Sequence, residues 1–255
     1  MGPKDTGRRR VKSDETLFAL FEALKETGGA GVTELADRLE LAKSSVHRHL
    51  TTMEDYGFVV NEAGTYRIGL QFLHYGEYAR NRFDVYHAAK RKVDELAADS
   101  GEMAWLITHE NGMAMYLYGA GGNTELDVDT IVGTWTAMHY NSGGKAILSQ
   151  LPRSEVERIV AERGLPSKTP KTITDPERLY EALDEVEDRG YALNMGEDLE
   201  GIRAVGVPIV FQGRVLGALS VAGPAHRLTR ERCGEELSKK LLAAVDDVEL
   251  NLAYK

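Results

Sequence analysis

Cysteine is nearly absent from this 255-residue chain, where Cys233 stands alone. A single thiol closes no intrachain disulfide and builds no cysteine-based zinc site. Long hydrophobic runs are missing too, and no stretch approaches the ~18–20 apolar residues that a membrane span requires. The polar, basic start from Met1 to Lys12 has no hydrophobic segment behind it. Neither a membrane partner nor a secretory leader is therefore expected, and a reducing cytoplasm fits. The loops that hold cofactors are lacking as well. Ser142-Gly143-Gly144-Lys145 has Ala146 where a phosphate loop needs Ser or Thr, and Met138 where it needs glycine. Gly119-Ala120-Gly121-Gly122 follows a strand pattern but opens no helix, so it is not a dinucleotide fingerprint. His47 and His49 project to different faces of a helix, and no other histidine pair has metal-ligand spacing. No cofactor, metal or catalytic group is expected.

Positive charge is also in short supply, with 31 Lys and Arg against 40 Asp and Glu for a net −9. Taken alone, this argues against a nucleic-acid partner. The imbalance is local, however. Residues 1–82 hold twelve cations and twelve acids, so the whole surplus of acid lies beyond residue 82. A charge-balanced front and an acidic rear suggest different partners for the two parts.

The front reads as three helices and a hairpin. Leu17, Leu20, Phe21 and Leu24 recur at i, i+3, i+4, i+7 along 14–25, and Gly28, Gly29 and Gly31 then break the helix. A short second helix from Thr33 to Leu39 buries Leu35, Ala36 and Leu39. A third, from Lys43 to Tyr56, buries Val46, Leu50 and Met53, with Gly57 placed for a left-handed cap. Two short helices joined by a tight turn form a helix-turn-helix. The opposite face of the third helix presents Lys43, Ser44, Ser45, His47, Arg48 and Thr51, with no acid before Glu54. Such a face suits entry between two phosphate rows, with Arg48 placed for a guanine edge. Phe58-Val59-Val60, a turn at Asn61 to Gly64, and Thr65 to Ile68 read as a wing that carries Arg67 towards a phosphate or into the minor groove. Arg8, Arg9 and Arg10 would serve as a flexible basic arm over 1–13.

From Leu70 to Phe83 a helix of mixed polarity links to the remainder. A helix over 85–100 and a strand over 103–108 follow, then an Asn111-Gly112 hairpin turn and a strand over 113–118. Ser154-Glu155-Val156-Glu157 reads as a capping box. Asp175-Pro176 opens a helix that stops at Gly190. A second hairpin, 204–211 and 215–221, turns at Gln212-Gly213. A last helix from about Thr229 carries Leu237, Leu241, Val245, Val248 and Leu252 on one side. Hairpins flanked by long helices imply an α+β domain with an antiparallel sheet.

Several strings in this order resemble the IclR family of prokaryotic regulators. They are Val32-Thr33-Glu34-Leu35-Ala36, Ser44-Ser45-Val46-His47-Arg48-His49-Leu50 and Tyr66-Arg67-Ile68-Gly69, then Gly144-Lys145-Ala146-Ile147-Leu148, Gly201 to Ile209, and Leu219 to Pro224. The resemblance spans roughly 14–250. It implies a winged helix-turn-helix over 14–69, a linker helix over 70–83, and a GAF-like effector-binding and oligomerisation domain over 84–255. The partners would be a near-palindromic double-stranded operator, a small organic-acid or sugar-derived effector, and further copies of the chain as a homodimer or dimer of dimers.

The glycine-rich turn into the helix near Gly143 leaves backbone amides open to an anion. Family members similarly bind small acids there. Met138, His139, Gly143, Gly144, Lys145 and Ala146 are thus one expected wall, with Trp135 beside them. The stretch Asn194 to Gly201, with Asp198 in it, and the strand ends at Val207, Pro208, Ser220 and Ala222 are the other, although some family members have cysteine or serine where Pro208 or Ala222 stands. The rival reading is a metabolite-binding protein or enzyme whose front helices only contact proteins. Such a protein has no need of a carboxylate-free helix face.

Overall fold

The computed structural model describes residues 11–122 and 131–254. The arginines at 8, 9 and 10 lie outside the described residues. The chain forms two units, residues 1–79 and 80–255.

The first unit folds around leucines of three helices, α1 (Lys12–Thr27), α2 (Val32–Arg38) and α3 (Lys43–Asp55). Leu20, Leu24, Leu35, Val46 and Leu50 are withdrawn from water, and each side chain so buried contributes ~1.5–3 kcal/mol. Leu39, expected in this core, is only half-buried. α1 ends at Gly28, whose φ of 69° suits glycine. It begins early enough to include Lys12 and Ser13, which sequence reading places in the arm. The wing is β1 (Val59–Glu62) paired antiparallel with β2 (Thr65–Ile68). Its turn is tighter than the sequence suggests. Asn61 and Glu62 stay in the strand, and only Ala63 (φ 52°) and Gly64 (φ 91°) reverse the chain. Ala30, just before α2, exchanges two backbone hydrogen bonds with Tyr66 and ties the wing to the helices.

A further helix, α4 (Gln71–Asn81), buries none of its side chains. It is shorter than the span expected from Leu70 to Phe83, because Phe83 is extended (φ −93°, ψ 106°) and caps the next helix instead. Phe72 and Tyr75 pack against Phe58 at ring separations of 5.0 and 5.5 Å.

The second unit contains α5 (Asp84–Ser100), β3 (Met103–Glu110), β4 (Met113–Ala120), β5 (Trp135–Thr136), α6 (Ser142–Leu148), α7 (Arg153–Arg163) and α8 (Pro176–Arg189). β6 (Ala192–Asn194), β7 (Ile202–Phe211), β8 (Arg214–Pro224) and, after a π-helical turn, α9 (Ser238–Ala253) complete it. Among the described residues the strands form one antiparallel sheet in the order β5-β4-β3-β8-β7-β6. Both long hairpins reverse through two left-handed residues, Asn111-Gly112 and Gln212-Gly213. Strand alternation divides the core. Ala104, Leu106, Val205, Val207, Ile209, Leu219 and Val221 face α5 and α9. Met103, Trp105, Ile107, Ala114 and Ala218 face α6, α7 and α8.

Helix starts divide the expectations. Asp175 accepts from the Arg178 amide at 3.0 Å with Pro176 in the first turn, and Gly190 ends that helix at φ 80°. The capping box at Ser154 is not formed. α7 begins at Arg153 behind Pro152, so Ser154 lies inside the helix and no side chain caps it. One ion cluster closes the unit. The buried Glu102 carboxylate accepts from Arg227 at 2.9 and 2.7 Å and from Arg232 at 3.2 Å. It thereby fastens the chain after β8 to the start of β3.

Candidate functional site

α3 carries the first candidate surface. Lys43, Ser44, His47, Arg48 and Thr51 are exposed on one side of the helix, and Ser45 is half-buried. Lys43 and Arg48 form no ion pair among the described residues. The His47 and Thr51 side chains stand 3.5 Å apart, one turn from each other. The first turn holds no acid, and Ala42 at its N-cap offers no side-chain acceptor. The positive end of the helix dipole is therefore uncompensated by the chain itself. Arg67 is placed differently from expectation. Its guanidinium donates to the Gly28 carbonyl and pairs with Glu62 at 3.1 Å, so the wing's arginine is largely spent on holding its own unit together.

The second candidate surface is where α6 meets the sheet. All seven residues of α6 are buried. Its glycines serve a purpose the sequence does not reveal. A methyl group on Gly144 would lie 2.4 Å from the Met138 carbonyl, and one on Gly143 would lie 2.6 Å from Ile107. A methyl on Gly206 of β7 would press to 2.8 Å from the Gly143 nitrogen. The space that glycine opens is thus filled by protein rather than left for a ligand. Two amides of the first turn are also satisfied internally, since Asn141 Oδ1 accepts from Gly144 N at 3.0 Å and the Asn141 carbonyl accepts from Lys145 N at 2.8 Å. The expectation that the Gly144 and Lys145 amides are open to an anion is corrected accordingly.

The remaining expected residues separate. Ala146, Met138 and His139 belong to the core between α6 and α7, and the His139 ring lies 3.1 Å from the Pro166 carbonyl. Trp135 is 44% exposed. Ser220 shares a hydrogen bond of 2.9 Å with Ser142, joining β8 to the first turn of α6. Pro208 and Ala222 are half-buried in β7 and β8. The Lys145 ammonium is buried and pairs with Glu197, and burial pulls its pKa down despite that partner. Asp198 pairs with Lys168.

Sequence reading misses Lys168, Tyr116, Tyr140 and Asn141, which gather at this end of the sheet with Glu197 of the expected 194–201 wall. Asn141 Nδ2 donates to the Tyr116 hydroxyl at 2.6 Å. The Lys168 ammonium also stands 5.2 Å from the centre of the Tyr140 ring. Asn194 braces the cluster, donating to the Tyr140 carbonyl and accepting from the Gly196 and Glu197 amides, each at 2.9 Å. No signal short of the fold brings these residues together, since their partners lie tens of residues apart.

Burial holds the His139 imidazole below its usual value of 6.5, and the same cause lowers His109. The unfolded chain then binds protons that the native chain refuses, so stability falls as pH drops below ~6.5. Urea midpoints should accordingly decline between about pH 7 and about pH 5. A His139→Gln variant should show a shallower decline, and an unchanged slope would assign the effect elsewhere.

A three-helix unit with a wing and an unpaired cationic helix face, followed by an α+β unit, defines a DNA-binding transcription regulator. Family profiles agree: the IclR helix-turn-helix domain matches residues 16–63, and the bacterial transcriptional regulator IclR C-terminal domain matches residues 78–250. The probable HTH-type transcriptional regulator ArcR of Halobacterium salinarum is 32% identical over 251 residues, covering 96% of this chain and 95% of that protein. The crystal structure of Thermotoga maritima IclR matches with a TM-score of 0.81 at 27% identity, over 95% of this chain and 98% of that one. An IclR homologue from Microbacterium hydrocarbonoxydans, complexed with 4-hydroxybenzoate, matches with a TM-score of 0.81 at 20% identity, over 96% and 100% of the two chains. The chain belongs to the IclR family of transcriptional regulators. Among its described residues no helix is long and apolar enough to cross a membrane.

Proposed function

We propose that this regulator binds a near-palindromic DNA site in the cytoplasm as a dimer or dimer of dimers, and that a small acid bound in its second unit sets the affinity. Two α3 helices would enter successive major grooves, ~34–36 Å apart. Arg48 reads a base edge. Lys43, Ser44, Ser45, His47 and Thr51 hold phosphates or neighbouring bases, and Arg9 and Arg10 act as an arm. The observation that carries this reading is the pair of cations on α3 with no carboxylate among the described residues to satisfy them. A protein-contact helix would be expected to mix charges of both signs.

The effector lies at the α6 face, near Ser142, Ser220, Asp198, Pro208 and Ala222. The relative complexed with 4-hydroxybenzoate supports an acidic ligand. The linker helix carries the effector's state to the DNA-binding unit. Ligand and operator then shift each other's affinity reciprocally, by ~1–3 kcal/mol in systems of this kind.

Selection of genomic DNA fragments by the purified protein across a salt series tests the reading. A few related near-palindromic sites should be retained as salt rises. Retention that ignores sequence and vanishes at moderate salt would favour a metabolite-binding protein whose front unit does not read DNA.

A further inference from the structure

The six-stranded sheet forks at one end. β3 and β8 stay paired from Met103 opposite Ala222 to Ile107 opposite Ala218. Beyond that point β3 continues beside β4 to Glu110, and β8 begins at Arg214 beside β7. The two hairpin ends therefore part, and Thr108 Oγ1 bridges the fork by donating to the Leu216 carbonyl at 3.1 Å. A cleft of about 640 Å³ opens there, walled by β3, β8, the start of α5 and the end of α9. Small-molecule sites typically enclose ~300–1,000 Å³. The residues named for the α6 face are not among its walls.

The walls divide by chemistry. Phe83, Val215 and Leu252 give the cleft apolar surface, while Arg82, His109 and Arg214 bring two guanidiniums and an imidazole. Asp84 is the one acid among the described lining residues. The chain's whole surplus of acid lies beyond residue 82, so cations grouped here depart from their surroundings. Arg214 is exposed, and its guanidinium has no partner among the described residues. The ring of the half-buried His109 forms no hydrogen bond among them either. Arg82 stands 4.9 Å from the centre of the Phe83 ring and pairs with Glu110 at 2.7 Å. Both partners of that pair are about half exposed to water, at 57% and 45%, so the bond is weak and exchangeable.

We infer that this fork is a second small-molecule site and that it takes a soluble organic phosphate. The phosphate head pairs with Arg214 and draws Arg82 from Glu110, His109 donates to a phosphate oxygen, and a compact apolar body lies against Phe83, Val215 and Leu252. Guanidinium forks match phosphate oxygens in pairs. A phosphate carries more than one negative charge and three acceptor oxygens, so it can engage two guanidiniums and a ring N–H together. Arg82 directly follows α4, so occupancy reaches the exit of the linker helix. The site is separate from the α6 face, and filling it needs no ligand there.

Calorimetry on the full chain tests this with phenyl phosphate, and with inorganic phosphate and phenol as its two halves. Phenyl phosphate should bind at least tenfold more tightly than either half. Arg214→Ala should weaken it at least tenfold, Arg214→Lys should restore part of that loss, and Arg82→Gln should weaken it at least threefold. Either Arg214→Ala or Arg82→Gln binding as well as the parent would overturn the inference. So would inorganic phosphate binding as tightly as phenyl phosphate, which marks a surface ion contact, or phenol doing so, which marks an apolar pocket alone. If phenyl phosphate does not bind the parent chain, the organophosphate site falls while the effector reading of the α6 face stands. Should a variant not fold, amide resonances of the Gln212-Gly213 turn in the parent decide instead. They should shift as phenyl phosphate is added, and unmoved resonances would overturn the site.

Discussion

Glu197→Ala should destabilise the second unit by ~3–5 kcal/mol, measured as a fall in urea midpoint at an unchanged denaturant slope. The side chains of Lys145 and Glu197 are 5% and 13% exposed, so water screens neither charge appreciably. Removing the acid strands an ammonium in the core, against the like charge of Arg189. Replacing both partners, Lys145→Met with Glu197→Leu, should recover most of the loss, because an apolar pair leaves no charge to desolvate. Burial already depresses the Lys145 pKa, and Glu197 opposes that shift. In Glu197→Ala the depression deepens. The unfolded chain then holds a proton that the native chain gives up, so the variant should grow relatively more stable as pH rises towards ~10. A loss under ~1 kcal/mol would mean that water reaches Lys145 and that the pair is peripheral to folding.

Arg48→Ala should lower operator affinity by ~1–3 kcal/mol, which is ~5- to 150-fold, and should relax specificity at one base position. The argument is geometric. Arg48 projects from the exposed side of α3 and is held by no carboxylate among the described residues. It can therefore present both guanidinium nitrogens to a guanine edge without first breaking an internal bond. Arg67→Ala should behave differently, because Arg67 is committed to Gly28 and Glu62. Its loss should loosen the wing and weaken all sites alike. Binding of a set of single-base operator variants separates the two. A uniform loss across the set for Arg48→Ala would place Arg48 on a phosphate instead.

Local rules explain why the helices and hairpins could be read without coordinates. Leu17 to Leu24 spells one helix face, Asn111-Gly112 and Gln212-Gly213 reverse strands whatever surrounds them, and Asp175-Pro176 caps from its own chemistry. The failures share an opposite cause. Ser154 has the residues of a capping box, but Pro152 starts the helix sooner and leaves that serine nothing to cap. Gly143 and Gly144 look like a cradle for a ligand. What they accommodate is Ile107 and the Met138 backbone, and no local pattern announces those neighbours. The ion pairs Lys145–Glu197 and Lys168–Asp198 join segments 52 and 30 residues apart, so they appear only once the sheet order is known. The carboxylate-free face of α3 was legible because every residue in it comes from a single helix.

α6 has only seven residues, too few to persist as a helix in isolation, where ~12–15 are marginal. It stands because Ile107, Gly206 and Ser220 lie beneath it, contributed by strands far apart along the chain. β3 must also wait for β8, more than a hundred residues later, before it gains its second neighbour. Contacts of such long sequence separation close slowly. The α6 face is thus among the last parts of the molecule to assemble, and a nascent chain released before β8 would have no floor on which to build it.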